Sequence, residues 1–203
     1  MAKALAARGY VTAVLEYRLS PEAKFPAALE DIQDALLWMK ENAEHFSLNP
    51  DQVAISGSSA GGQLAALASV VPISKNKFSS QPFALINMDG VLAFDHSDSQ
   101  EGEVAALWLG GSYIENTKTW QQASALYRIN KDSVVPTLLI GSQFSRFLAG
   151  EKEYSEILDF YGVFHDKLVI ENSPHTFWLF DPWFSLVINH IDLFLLQAIR
   201  IER

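Results

Sequence analysis

Cysteine is absent from this 203-residue chain. That excludes a disulfide framework and a thiolate metal site, and it leaves the compartment open. Basic side chains are scarce: 15 Lys and Arg face 24 Asp and Glu, for a formal net charge of -9. Such a balance argues against a nucleic-acid partner and against an anionic membrane surface. No apolar run reaches the ~18 residues of a membrane span. What is present is a chain 49% hydrophobic and 19% charged. Its length and composition suit one α/β domain over residues 1–203, with enough apolar surface for a sizeable core.

The stretch that carries chemistry is Gly57-Ser58-Ser59-Ala60-Gly61-Gly62. A short apolar run, Gln52 to Ser56, precedes it, and the turn signal Asn49-Pro50-Asp51 bounds that run upstream. A helical pattern from Gln63 to Ala68 follows. Strand, tight Gly/Ser turn and helix in that order are the context of a nucleophile elbow. A serine on so sharp a turn sits in strained backbone, and only small neighbours let strand and helix come this close. Ser59 is the expected nucleophile. The N–H of Ala60, at a helix N-terminus, is placed to stabilise an oxyanion. The bland alternative is a glycine-rich corner with no chemistry.

Met1 to Arg8 reads as the tail of an amphipathic helix stopped by Gly9, and Tyr10 to Tyr17 as a strand rich in β-branched and aromatic residues. An opening in mid-helix leads to the expectation that an N-terminal portion is missing. Leu29, Ile32, Ala35, Leu36 and Met39 predict a helix over about 27–46. Asp31 is placed for an ion pair with Arg18. Residues 70–82 read as a polar connection, and Pro82 to Met88 as a strand ending at Asp89-Gly90. Residues 91–135 are the least periodic. Trp108, Tyr113 and Trp120 there suit either a substrate wall or ordinary packing. Asp95, His96 and Asp98 read as solvent-facing loop side chains rather than a metal site. Further strands are expected over 134–141 and 166–171, with helices over 151–161 and about 182–199.

The segment Glu16-Tyr17-Arg18-Leu19-Ser20-Pro21-Glu22-Ala23-Lys24-Phe25-Pro26-Ala27, with the GSSAGG turn about thirty residues on, resembles the α/β-hydrolase esterases. It is most similar to the branch of hormone-sensitive-lipase-like and bacterial acetyl-xylan and feruloyl esterases. The resemblance implies an α/β-hydrolase fold, a mostly parallel sheet flanked by helices, with an excursion over the active site at about 91–135. In this family an HGG-type segment supplies further oxyanion donors, and no His-Gly-Gly occurs here. The family keeps its general base on a turn after the last strand, which implies that role for His175.

The triad acid is harder to assign. The resemblance places it near Phe144 or Ser145, where no carboxylate stands. Glu153, at the next helix start, and Asp89, at the end of the preceding strand, remain as equal alternatives; Glu151 is a nearby third carboxylate. The expected activity is a serine carboxylic-ester hydrolase cleaving small acyl esters, acetyl or feruloyl in type, from a small molecule or a plant polysaccharide. No cofactor and no metal are called for. An amidase or peptidase of the same fold, or a truncated inactive fragment, are the competing readings. The acyl group, the alcohol and the oligomeric state are not encoded in any recognisable motif.

Overall fold

The computed structural model describes residues 1–201. The helices are α1 (Ala2–Ala6), α2 (Ala27–Glu41), α3 (Ala43–Phe46), α4 (Ala60–Val70), α5 (Gly102–Leu109), α6 (Tyr113–Gln122), α7 (Glu151–Tyr161) and α8 (Trp183–Ile201). The strands are β1 (Ile55–Ser58), β2 (Ser74–Lys75), β3 (Phe78–Ser79), β4 (Leu85–Met88), β5 (Thr137–Ser142) and β6 (His165–Ile170). β1, β4, β5 and β6 form a four-stranded parallel sheet in that order.

Parallel strands need both faces covered. β4 and β5 are accordingly buried at every position. One face packs Leu85 and Leu139 with α2, α4 and α7 through Leu36, Leu67, Tyr154 and Leu158. The other packs Ile86, Leu138 and Ile140 against α8 through Val187, Ile191, Phe194 and Ala198. Each large aliphatic side chain so buried stabilises the fold by roughly 1.5–3 kcal/mol. α8 has the length and composition of a helix able to cross a membrane, and one stripe of it covers the sheet.

Several local expectations need correction. Tyr10 to Tyr17 carries no regular secondary structure and joins no ladder among the described residues, and Val14 is 83% exposed. β-branched residues favour a strand only where a partner offers hydrogen bonds. The helix expected over 27–46 breaks at Asn42 (φ -102°) into α2 and α3. The connection at 70–82 holds a small antiparallel hairpin, β2–β3, turning at Asn76 with φ 56°. Residues 91–135 contain α5 and α6, the latter opened by a capping box of Ser112 and Glu115.

Candidate active site

β1 and β4 are in register, Ser58 opposite Met88, so the residues that follow them, Ser59 and Asp89, leave neighbouring strands at the same rim. Both residues carry left-handed backbone, φ 53° at Ser59 and φ 49° at Asp89. Strain of this kind costs on the order of 1–3 kcal/mol per residue and persists only where surroundings enforce it. At Ser59 the enforcement is close packing. A Cβ on Gly57 would lie 2.0 Å from the Gly61 carbonyl oxygen, so only glycine lets α4 fold back on β1 here. The Ser59 N–H donates to Met88 O at 2.8 Å, and its carbonyl accepts from Gln63 N–H at 3.0 Å.

Asp89 is held differently. The buried amide of Asn87 spans the turn: Nδ2 donates to Gly90 O at 2.8 Å, and Oδ1 accepts the Gly90 N–H at 2.9 Å. Asp89 is 2% exposed. Its Oδ1 accepts the Ser142 N–H at 2.7 Å, and its N–H donates to Ile140 O at 2.9 Å. The other oxygen, Oδ2, faces His175 Nδ1 at 2.8 Å. His175 Nε2 lies 3.0 Å from Ser59 Oγ. The loop that brings the imidazole back across the end of β5 is pinned by Ser173, whose Oγ donates to Ile170 O at 2.7 Å and whose carbonyl accepts from Gln143 Nε2 at 3.2 Å.

Ser59, His175 and Asp89 thus form one hydrogen-bonded line, and Glu153 is not part of it. Glu153 Oε1 points instead to His96 Nε2 at 3.5 Å, with its side chain 46% exposed. Asp89 reaches the imidazole because the sheet register sets it beside Ser59, whereas Glu153 lies within α7, beyond the loop after β5. Burial raises the Glu151 carboxyl above the ordinary carboxylate range, partly offset by Lys167, whose Nζ forms an ion pair at 2.9 Å. Asp95 accepts from the Tyr127 hydroxyl at 3.1 Å. Among the described residues no group of three or more His, Asp or Glu side chains is placed to hold a metal ion.

A cleft of about 270 Å³ opens at Ser59. Ala60, the first residue of α4, lines it, and its N–H is among those that a helix leaves without an intrahelical acceptor. Leu64, Val91, Phe94, Val104, Trp108 and Phe147 give the cleft apolar walls. Of the three aromatics that suited either a substrate wall or ordinary packing, Trp108 is among the lining residues, whereas Trp120 is buried and stacks edge-on with Tyr113. Arg18 also lines the cleft, clasped by Asp31 at 2.8 Å as expected. That pair holds the Asp31 carboxyl below its usual range. Sequence reasoning missed Asn87 and Phe147. An Asn two residues before a strand-end Asp-Gly was a usable signal for the first, since short polar side chains bond their own turns.

The same architecture occurs in solved structures. Esterase B from Lactobacillus rhamnosis superposes with a TM-score of 0.75 over 98% of this chain and 69% of its own, at 18% identity. An acetyl ester-xyloside bifunctional hydrolase from Caldicellulosiruptor lactoaceticus does so with a TM-score of 0.70 over 88% of this chain and 70% of its own, at 19% identity. These likenesses define the α/β-hydrolase fold. An AB hydrolase superfamily protein of Schizosaccharomyces pombe is 28% identical over 189 residues, 82% of this chain and 54% of the relative. The chain therefore spans about half the length of that relative. A family model matches residues 1–146, a span that contains both Ser59 and Asp89. With well over half its length inside that match, the chain belongs to the BD-FAE family of α/β hydrolases.

Proposed function

We propose that this protein is a serine carboxylic-ester hydrolase that cleaves small acyl esters through an acyl-enzyme. The observation that carries the proposal is the line Asp89–His175–Ser59, with spacings of 2.8 and 3.0 Å, at the mouth of an apolar cleft. In this reading the Ser59 hydroxyl donates to His175 Nε2, and His175 Nδ1–H donates to Asp89. Ser59 Oγ attacks the ester carbonyl as its proton passes to Nε2. The Ala60 N–H then donates to the tetrahedral oxyanion. The imidazolium returns its proton to the departing alcohol. A water deprotonated at Nε2 completes hydrolysis, releasing the acid and free Ser59. Asp89, buried and anchored on Ser142, fixes the imidazole tautomer throughout.

Residues 1–203 act as one α/β-hydrolase unit in this account, and α5 within the 91–135 excursion forms a wall of the substrate cleft. Its Val104, Ala105 and Trp108 support that role. The apolar lining and a cleft of about 270 Å³ favour an acyl group of acetyl to feruloyl size over a charged one. The alcohol is that of a small molecule or a polysaccharide. A fluorophosphonate probe and a panel of p-nitrophenyl esters, run beside peptide and formamide substrates, test the proposal. The wild-type chain is expected to take the probe and to hydrolyse acetate esters, with both lost in Ser59→Ala. An unlabelled wild-type chain, or turnover that survives in Ser59→Ala, would overturn it.

A further inference from the structure

The loop after β5 lacks the carboxylate that the resemblance placed there, and it contributes something else to the site. Its short turn Ser145–Phe147 lays the Phe147 ring flat against the His175 imidazole, with centroids 3.7 Å apart and planes 16° from parallel. Trp178 meets the same imidazole edge-on at 5.1 Å. The Arg146 guanidinium lies over the Phe147 ring, 4.3 Å from its centroid. Arg146 Nη1 is in turn 3.6 Å from Glu101 Oε1, and Glu101 immediately precedes α5. Glu101, Arg146, Phe147 and His175 therefore form a continuous column from a wall of the cleft to the imidazole.

Two hydrogen bonds do not by themselves immobilise an imidazole. Bonds at Nδ1 and Nε2 define an axis through Asp89 Oδ2 and Ser59 Oγ, and the ring can tilt about that axis while stretching neither bond much. Such a tilt keeps the donor angles but turns the ring out of the Asp89 carboxylate plane, where an sp² oxygen accepts best, and moves Nε2 round the Ser59 hydroxyl, away from the direction in which its proton must pass. A flat aromatic face at stacking distance blocks that motion in the direction of Phe147. Phe147 is itself buried, and the cation over its ring adds an electrostatic hold on the face.

We infer that Phe147 is a positioning residue for the His175 imidazole, and that Arg146, paired with Glu101, holds Phe147 in that position. The inference rests on the triad reading above and names a device within the same site. It also ties the start of α5 to the orientation of the general base, so contacts made by a substrate along α5 bear on the chemistry.

The test uses Phe147→Leu, which keeps an apolar side chain but removes the flat face, and Phe147→Tyr, which restores the face. Arg146→Gln, at a half-exposed position, perturbs the column without touching the core. Phe147→Leu is expected to lower kcat on p-nitrophenyl acetate by about tenfold, with KM within about twofold, a loss in the range that small misplacements of catalytic groups produce. Phe147→Tyr should recover most of that loss, and Arg146→Gln should show a smaller drop in kcat. A spectroscopic readout is independent of turnover. The His175 Hε1 resonance, assigned by its disappearance in His175→Gln, should be shifted upfield by the Phe147 ring current and should move downfield in Phe147→Leu. Unchanged kcat with only KM altered would make Phe147 a cleft wall alone, and an unshifted Hε1 would remove the stack; either overturns the inference. A wild-type chain that shows the ring-current shift but takes no fluorophosphonate would sink the triad reading and, with it, the positioning role.

Discussion

The turn after β4 and the loop after β5 leave the sheet side by side, with Met88 opposite Ile140, yet they are built on different principles. The first is short, polar and strained. Asp89 sits at φ 49°, and the Asn87 amide bonds Gly90 through both its oxygen and its nitrogen. The second is built on aromatic rings, with Phe147 against the imidazole and Phe144 edge-on to Phe147 at 6.4 Å. A carboxylate can reach His175 Nδ1 from the first because its side chain is fixed at two points, Ser142 N–H and the imidazole. The comparison teaches that the site depends on where an oxygen is held, and that the loop supplying it is secondary.

The comparison breaks most visibly at the acid itself. Asp89→Asn leaves the shape and removes the charge that, in the proposed mechanism, sets the imidazole tautomer, and a loss of about 10⁴ in kcat is expected on the scale of triad carboxamide variants. Glu153→Gln should leave kcat within about twofold, since its carboxylate is half-exposed and faces His96, a surface pair of little energetic weight. Steady-state hydrolysis of one p-nitrophenyl ester by both variants decides the matter. The opposite ranking would move the acid to α7. Phe144→Asp placed in the Asp89→Asn background sharpens it further. No recovery is expected, because residue 144 is 42% exposed and its side chain meets Phe147 rather than the imidazole.

A smaller effect belongs to Asn87. Replacing it with Ala leaves the Gly90 N–H and carbonyl without their side-chain partners at a buried turn. Groups stranded in this way cost about 1–3 kcal/mol. Urea unfolding should show that loss, and kcat should fall with it although Asp89 is intact. Wild-type stability together with wild-type kcat would mean that the strain at Asp89 is enforced by other groups.

How much of this could be read in advance follows from the same contrast. The Ser59 elbow was legible because turn chemistry, the preceding apolar run and the following helix all lie within twenty consecutive residues. His175 was legible through the resemblance, once the last strand was located. Asp89 could not be separated from Glu153, because the choice depends on strand register, Ser58 against Met88, which no local pattern encodes. Tyr10 to Tyr17 shows the reverse failure: its composition favours a strand, but a strand exists only as one side of a ladder. The capping box Ser112-x-x-Glu115 and the Asn76-Lys77 turn were visible signals for α6 and for the β2–β3 hairpin, and they went unread. Phe147 offered no signal at all, since a stacking partner is defined by the ring it touches rather than by its neighbours in the chain.

The smallest expected effect lies beneath both loops. A narrow void of about 10 Å³ separates Asp89 from Glu151, with Asn87, Phe147 and Leu148 in its walls. Burial raises the Glu151 carboxyl, Lys167 counteracts this, and the nearby charge of Asp89 adds to the rise. The sign for stability follows from linkage. A carboxyl whose folded pKa is raised binds more protons in the native than in the unfolded chain. Its contribution is present below the unfolded value near 4.5 and is lost as pH rises through the raised folded value. Glu151→Gln cannot ionise, and its Lys167 partner, half-exposed, stays hydrated. The variant should therefore gain on the wild type in Tm as pH climbs from about 4 towards neutrality, most of the gain coming in the first units above the unfolded value. A Tm difference that is flat across that window would mean that Lys167 fully offsets the burial of Glu151. The turn at Asp89 would then be electrostatically insulated from the helix that follows its neighbouring loop.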